Sequence, residues 1–282
     1  MSHDYPRDAG LALTGKSMGI PSADYHNLSG YYDESFYDSQ VTGSLESARI
    51  FLSYLYRFYK PKSVLDVGCG RGAWLTACCE LGSEVVVGFD GSWNSQSQMI
   101  DDRIRFTAVD LDLPFRSNRK FDLVMTLEVA EHLKPESAIS FVQSLLLLSD
   151  VILFSAAIPG QGGTNHINER KQSYWGDMFS SLGFEIFDIF RPGFWHDSRV
   201  EPWYRQNTFL YVRKGHVLCT TLRTSGFREM ASTSFMDCVH PWLWEAKLNQ
   251  TKADRFARMG FKQHLKDLTP SLVRGIKSRL PI

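Results

Sequence analysis

Cysteine is scarce in this sequence: five residues, at positions 69, 78, 79, 219 and 238, with no Cys-x-x-Cys pair. An odd number without a framework excludes a disulfide scaffold and the usual zinc-ligand spacings. It fits a reducing compartment, so the chain is expected in the cytoplasm. An excess of charge of either sign is also lacking, with Lys plus Arg and Asp plus Glu at 31 each. With no basic surplus, no general nucleic-acid partner is expected. The opening MSHDYPRDAG carries acids and has no apolar core of signal-peptide length. The one long apolar stretch, residues 138–158, is interrupted by Gln143, Asp150 and several serines. A helix followed by a strand explains it better than a transmembrane segment, and none is expected.

At 282 residues the chain has room for one α/β domain with additions at either end. It is organised around VLDVGCGRGAW, residues 64–74. An apolar run enters a turn with Gly68, Gly70 and Gly72, which predicts a buried strand, a tight turn and a helix over 74–81. A dinucleotide fold opens similarly, but with spacing GxGxxG rather than GxGxG. Asp66 beside the turn also disfavours a diphosphate, which wants backbone N–H groups and no carboxylate. Further strands are expected at 84–89, 104–109, 121–127 and 151–156, and helices at 44–59 and 135–148. This alternation implies a parallel sheet covered on both faces.

The glycine turn resembles the first motif of class I methyltransferases that use S-adenosylmethionine (SAM). FDLVMTLEVAEHL, residues 121–133, resembles the same family, especially its small-molecule branch. The resemblance covers roughly residues 44–214 and implies SAM as cofactor. Asp66 then suits the ammonium and sulfonium cations of SAM. Asp90, about twenty residues beyond the glycines, stands where such sheets place an acid at the ribose. The family meets the adenine at an acid followed by an apolar residue, here Asp110 and Leu111. Glu128, ending the fourth strand, joins the cofactor-binding set. Asp110 and Asp112 form an Asp-x-Asp pair without a third ligand nearby, so no metal is expected.

Three residues are candidates for catalysis. Glu131 and His132 follow the strand end where ligands bind, and a carboxylate can orient a neighbouring His. His166 lies in PGQGGTNHINERKQ, residues 159–172, a polar loop after the fifth strand. That stretch resembles a subset of SAM methyltransferases in which HINE precedes a Tyr-Trp pair, here Tyr174-Trp175. His166 is the leading general base and His132 the second. A helix at 173–182 and a strand at 184–190 follow. Then comes a second loop, RPGFWHDSRVEPWYRQN at 191–207, and a strand at 208–212. The family resembled closes its sheet with an antiparallel strand at this place, which implies that the loop is a hairpin insertion. Tyr37, Asn165, Tyr174, Trp195, His196, Trp203, Tyr204 and Arg205 are expected at the substrate, since aromatic and Arg side chains suit a sugar, a phosphate or an aromatic acceptor. They equally suit a homodimer contact. Past residue 214 the pattern weakens to a helix over 237–248 that docks Trp242 and Trp244 on the core, and a basic tail.

The expected fold is thus α/β: a Rossmann-like, seven-stranded, mostly parallel sheet with helices on both faces, an N-terminal arm and a C-terminal helical extension. The expected divisions are an arm or lid over 1–43, a SAM-binding domain over 44–214 with substrate loops 159–172 and 191–207, and an extension over 215–282. The expected activity is methyl transfer to a small polar metabolite, at a hydroxyl of a sugar or natural product. N- or C-methylation and a catalytically inactive SAM-fold binding protein are the alternatives.

Overall fold

The computed structural model describes residues 34–258, with side chains described over 42–253. Most of the expected arm, the side chain of Tyr37 and the basic tail beyond 258 lie outside the described residues.

The strands are β1 (Ser63–Val67), β2 (Val85–Asp90), β3 (Arg105–Ala108), β4 (Leu123–Leu127), β5 (Val151–Ser155), β6 (Phe184–Phe187) and β7 (Phe209–Arg213). They form one sheet in the order β3-β2-β1-β4-β5-β7-β6. The first five pair in parallel, and β7 runs antiparallel to both β5 and β6. This is the Rossmann-like, mostly parallel α/β sheet. β1, β4 and β5 are buried at every position because helices cover both faces, which is why they read as unbroken apolar runs. β3 at the edge is largely exposed. The strand order reverses between β1 and β4, and ligands bind at the carboxyl ends beside such a reversal.

The helices are α1 (Glu34–Leu55), α2 (Ala73–Glu80), α3 (Ala138–Leu148), α4 (Gln172–Ser181), α5 (Arg191–Phe194), α6 (Pro202–Asn207), α7 (Val217–Thr224) and α8 (Pro241–Arg258). One core packs Phe51, Leu52 and Leu55 of α1 and Leu75 and Cys78 of α2 on the sheet. The other packs Phe141 and Leu145 of α3 and Trp175 and Phe179 of α4 on the opposite face. Among the described residues no helix is long and apolar enough to cross a membrane.

Four expectations of detail are corrected. The first helix begins at Glu34 and ends at Leu55, running straight through the boundary placed after residue 43. Gly43 reads as a break, but a Cβ there would press on Glu201, and Ser47 next door accepts the Glu201 N–H at 3.0 Å. The glycine marks a close approach of another segment. Second, residues 191–207 hold the two short helices α5 and α6 rather than a hairpin, each with Pro in its first turn. They are too short to show a period. Third, α7 went unforeseen because its N-terminal cap is the His216 ring, which accepts the Leu218 N–H at 3.2 Å, in place of Ser, Thr, Asp or Asn. Fourth, Trp242 and Trp244 do not dock on the core; they are 55% and 57% exposed on α8.

Candidate active site

At the end of β1 the chain turns through Gly68, Gly70 and Gly72, all at positive φ (82°, 52° and 86°). A Cβ on Gly68 would collide with Val129, so this glycine lets the turn touch the segment that follows β4. Gly70 has open space where its Cβ would be. The N–H groups of Gly68 and Cys69 donate to the Phe89 carbonyl at 2.7 and 3.1 Å. Asp90 completes the tie: its carboxylate accepts from Gly70 N–H and from Gly91 N–H, both at 2.7 Å. Burial raises the Asp90 pKa, and the Gly91, Gly70 and Asn94 donors oppose the rise. Asp66 is buried on β1, and burial first, then the Asp90 charge, pushes its pKa up to about 8. The adjoining edge carries Leu111, buried, and Asp110, which is exposed and accepts the Asp112 N–H at 3.0 Å. Asp112 itself accepts the Lys134 N–H at 2.9 Å, so the Asp-x-Asp pair shapes a turn.

The end of β4 carries the second group. Glu128 is a non-glycine residue at φ 56°, a backbone state that needs support from its surroundings. Its N–H donates to the Ser155 carbonyl at 3.1 Å. Its carboxylate accepts from Asn207 Nδ2 at 3.1 Å and from Gln161 Nε2 at 2.9 Å. Burial raises its pKa against these bonds. Glu131, in the 3-10 turn Ala130–His132, is fully buried. Burial first, then the Glu128 charge, raises its pKa well above the usual carboxylate range. The adjacent His132 is exposed as a residue, yet its ring lies against the 159–172 loop. Desolvation, then His166, lowers its pKa, and a backbone contact with Asn165 opposes this.

His166 arrives from that loop. Its ring meets the His132 ring edge-on, with centroids 4.8 Å apart. Its Nδ1 lies 3.1 Å from Glu169 Oε1. The loop is held down because Ile167 and Asn168 both donate backbone N–H bonds to the Glu131 carbonyl at 2.9 Å. The Asn168 side chain adds a bond to the Ala130 carbonyl at 3.2 Å. Asn165 takes φ 59° to make this turn. Tertiary structure thus brings Glu131, His132 and His166 together, their ligand-type atoms within 4.8 Å of one another, a grouping that no sequence spacing announces.

The expected substrate residues divide. Tyr174 stands on α4 under the Arg170 guanidinium, 5.2 Å from its ring centroid. His196 is exposed, and Trp203 packs partly buried on the core. Tyr204 and Arg205 are corrected to bracing positions. The Tyr204 ring is buried against Trp74 at 5.1 Å and its hydroxyl meets Ser44 Oγ at 3.2 Å. Arg205 is buried and donates to the Trp195 carbonyl at 3.0 Å. That carbonyl also lies 2.7 Å from His240 Nε2, and the Trp195 ring packs on His240 at 4.6 Å. Helix α6 instead turns its last two residues toward Glu128. Gln206 donates to Asn207 Oδ1 at 2.8 Å, and Asn207 donates to Gln161 Oε1 at 2.9 Å. Gln161, Gln206 and Asn207 were not assigned from the sequence; the only signal was an amide pair closing the RQN end of the loop.

Residues 37–156 match the family described as "Methyltransferase domain". A search of curated proteins finds no match to the chain. Among solved structures the chain is similar to magnesium protoporphyrin IX methyltransferase from Synechocystis PCC 6803 with bound SAM: 19% identity, 66% of this chain and 86% of that one covered, TM-score 0.46. A SAM-dependent methyltransferase from Archaeoglobus fulgidus gives 23% identity, 55% and 76% covered, and TM-score 0.44. The plantazolicin methyltransferase BpumL, in complex with a monoazolic desmethylPZN analog and S-adenosylhomocysteine (SAH), gives 16% identity, 64% and 88% covered, and TM-score 0.47. The domain match over 37–156, the glycine turn after β1 and this strand order together make this part of the chain a methyltransferase domain of Rossmann-like build.

Proposed function

We propose that the protein transfers the methyl group of SAM to a hydroxyl of a small polar metabolite, of the sugar or natural-product class. The observation that carries this reading is the convergence of Glu131, His132 and His166 at the carboxyl end of β4, beside the amide-rich lining of Gln161 and Asn207. Asp66 meets the cationic end of SAM. Asp90 keeps free lone pairs on both oxygens for the ribose while holding the glycine turn. Leu111, with Asp110, borders the adenine. Glu128 stands between cofactor and acceptor, fixed by Asn207 and Gln161.

The acceptor lies under the 159–172 loop, near Asn165 and Tyr174, with the 191–207 segment beyond it. Positioning its oxygen in line with the S–CH3 bond supplies much of the rate. The acceptor's proton leaves at the cluster, with His166 as the leading base and His132 the second. The Glu169 contact favours the tautomer that leaves His166 Nε2 its lone pair.

The test is transfer of label from methyl-labelled SAM to a panel of hydroxylated sugars and phenols, with analysis of the linkage formed. An acid-stable methyl ether is expected. Label found only in amines, carboxyl groups or carbon positions would overturn the reading.

A further inference from the structure

We propose that Glu131, His132 and His166 bind one divalent transition-metal ion, which rests on the methyl transfer proposed above and takes the place of its direct His base. The three side chains offer one carboxylate oxygen and two imidazole nitrogens, all within 4.8 Å of one another. Around an ion bound at about 2.1 Å, ligand atoms stand about 3–4 Å apart. Rotation of the exposed His132 side chain is the small adjustment that closes the set.

The buried carboxylate is the second, independent observation. Glu131 is 0% exposed, and neither of its oxygens has a hydrogen bond of good geometry. A carboxylate stripped of water, with no donor beyond the weakly aligned Glu131 and Ala157 N–H groups, is disfavoured as an anion unless a cation or proton joins it. Its neighbour Glu128 is a half-buried carboxylate, and its own amide donors are the neutral Asn207 and Gln161. Among the described residues neither carboxylate pairs with a Lys or Arg. The two imidazoles, which are good metal ligands, stand within 4.8 Å of the Glu131 carboxylate.

The surroundings of His166 complete the case. Its Nδ1 is engaged by Glu169, which in turn accepts the Gly160 and Gly162 N–H groups at 2.6 and 2.9 Å. Metal-binding imidazoles are commonly oriented by a carboxylate on the far nitrogen in this way. The backbone bonds from Ile167 and Asn168 to the Glu131 carbonyl set both halves of the site at a fixed separation. Two nitrogens and one oxygen favour the manganese-to-zinc series over magnesium or calcium.

Three protein ligands leave positions for the acceptor hydroxyl. Coordination there lowers the hydroxyl pKa, and its proton passes to solvent water. The oxygen then forms the C–O bond as the S–CH3 bond breaks, the electron pair of that bond staying on sulfur in SAH.

The test uses the full chain, stripped with EDTA and dialysed against Co2+. Bound cobalt is counted by elemental mass spectrometry, its ligand field is read from the visible d–d bands, and SAH binding is measured in parallel by calorimetry. The expected result is one cobalt per wild-type chain. His132→Ala and His166→Ala are each expected to weaken cobalt binding about 10–100-fold or more while still binding SAH, which shows that they fold. A wild type that binds SAH but no cobalt overturns the metal site and leaves the transferase reading with a direct His base. Cobalt held equally well by both His variants also overturns it. Cobalt binding without SAH binding supports the metal site and removes the function it was meant to serve.

Discussion

Nδ1 of His166 lies 3.1 Å from Oε1 of Glu169, and the same carboxylate collects the backbone N–H groups of Gly160 and Gly162. Glu169 therefore sets both the tautomer of the ring and the path of the loop that carries it. Glu169→Gln is expected to lower acceptor methylation about 10–100-fold, since residues that orient an active imidazole act on this scale. The SAH dissociation constant should stay unchanged, because the contact lies away from the glycine turn. A variant that loses SAH binding as well would mean that the loop supports the cofactor rather than the acceptor.

Asp66 gives a pH dependence with a definite sign. Burial and the Asp90 charge raise its pKa to about 8, so the folded apoprotein keeps a proton that the unfolded chain has already released. Its contribution to stability therefore falls as pH rises from about 4 to about 8 and is flat above. Asp66→Asn should flatten the dependence of Tm on pH across that window. The proposed contact with the SAH ammonium favours the ionised form of Asp66. Calorimetry near neutral pH in buffers of different ionisation enthalpy should therefore show proton release, which vanishes in Asp66→Asn.

Asp90→Ala removes the acceptor for two backbone donors and the proposed ribose contact. Hydrogen bonds to charged groups are worth about 1.5–3 kcal/mol, so the SAH dissociation constant should rise roughly 10–150-fold. Unchanged affinity would remove Asp90 from the cofactor site.

Asn207→Leu strips Glu128 of one of its two side-chain donors, which costs about 1–3 kcal/mol. Thermal unfolding should show it as a drop of about 2–4 °C for each kcal/mol. Trp242→Ala, on the exposed face of α8, should stay within about 0.5 kcal/mol of wild type. A large loss there would mean that α8 is docked after all.

The sheet was legible because its central strands are apolar runs separated by unmistakable glycine turns, and β1, β2, β4 and β5 lie within a residue or two of their expected places. The helices over 191–207 and 217–224 were not, because α5 and α6 start at prolines and are too short to show a period of their own, and α7 is capped by His216. Tyr204 and Arg205 show the limit for single residues. Aromatic and Arg side chains in a loop look available for a substrate, yet Trp74, Ser44 and the Trp195 carbonyl claim them.

The amino-acid order by itself determined the strand–turn–helix alternation, the glycine turn and the acids that follow it, because these depend on local backbone freedom and on apolar period. Tertiary structure decided the chemistry at the end of β4. His166 reaches Glu131 and His132 only because β5 lies beside β4 and the 159–172 loop is pinned to the Glu131 carbonyl. Glu128 finds Asn207 only because the antiparallel β7 brings the end of α6 back to that edge. Contacts between segments far apart in sequence depend on packing and strand order, which no local pattern of residues encodes.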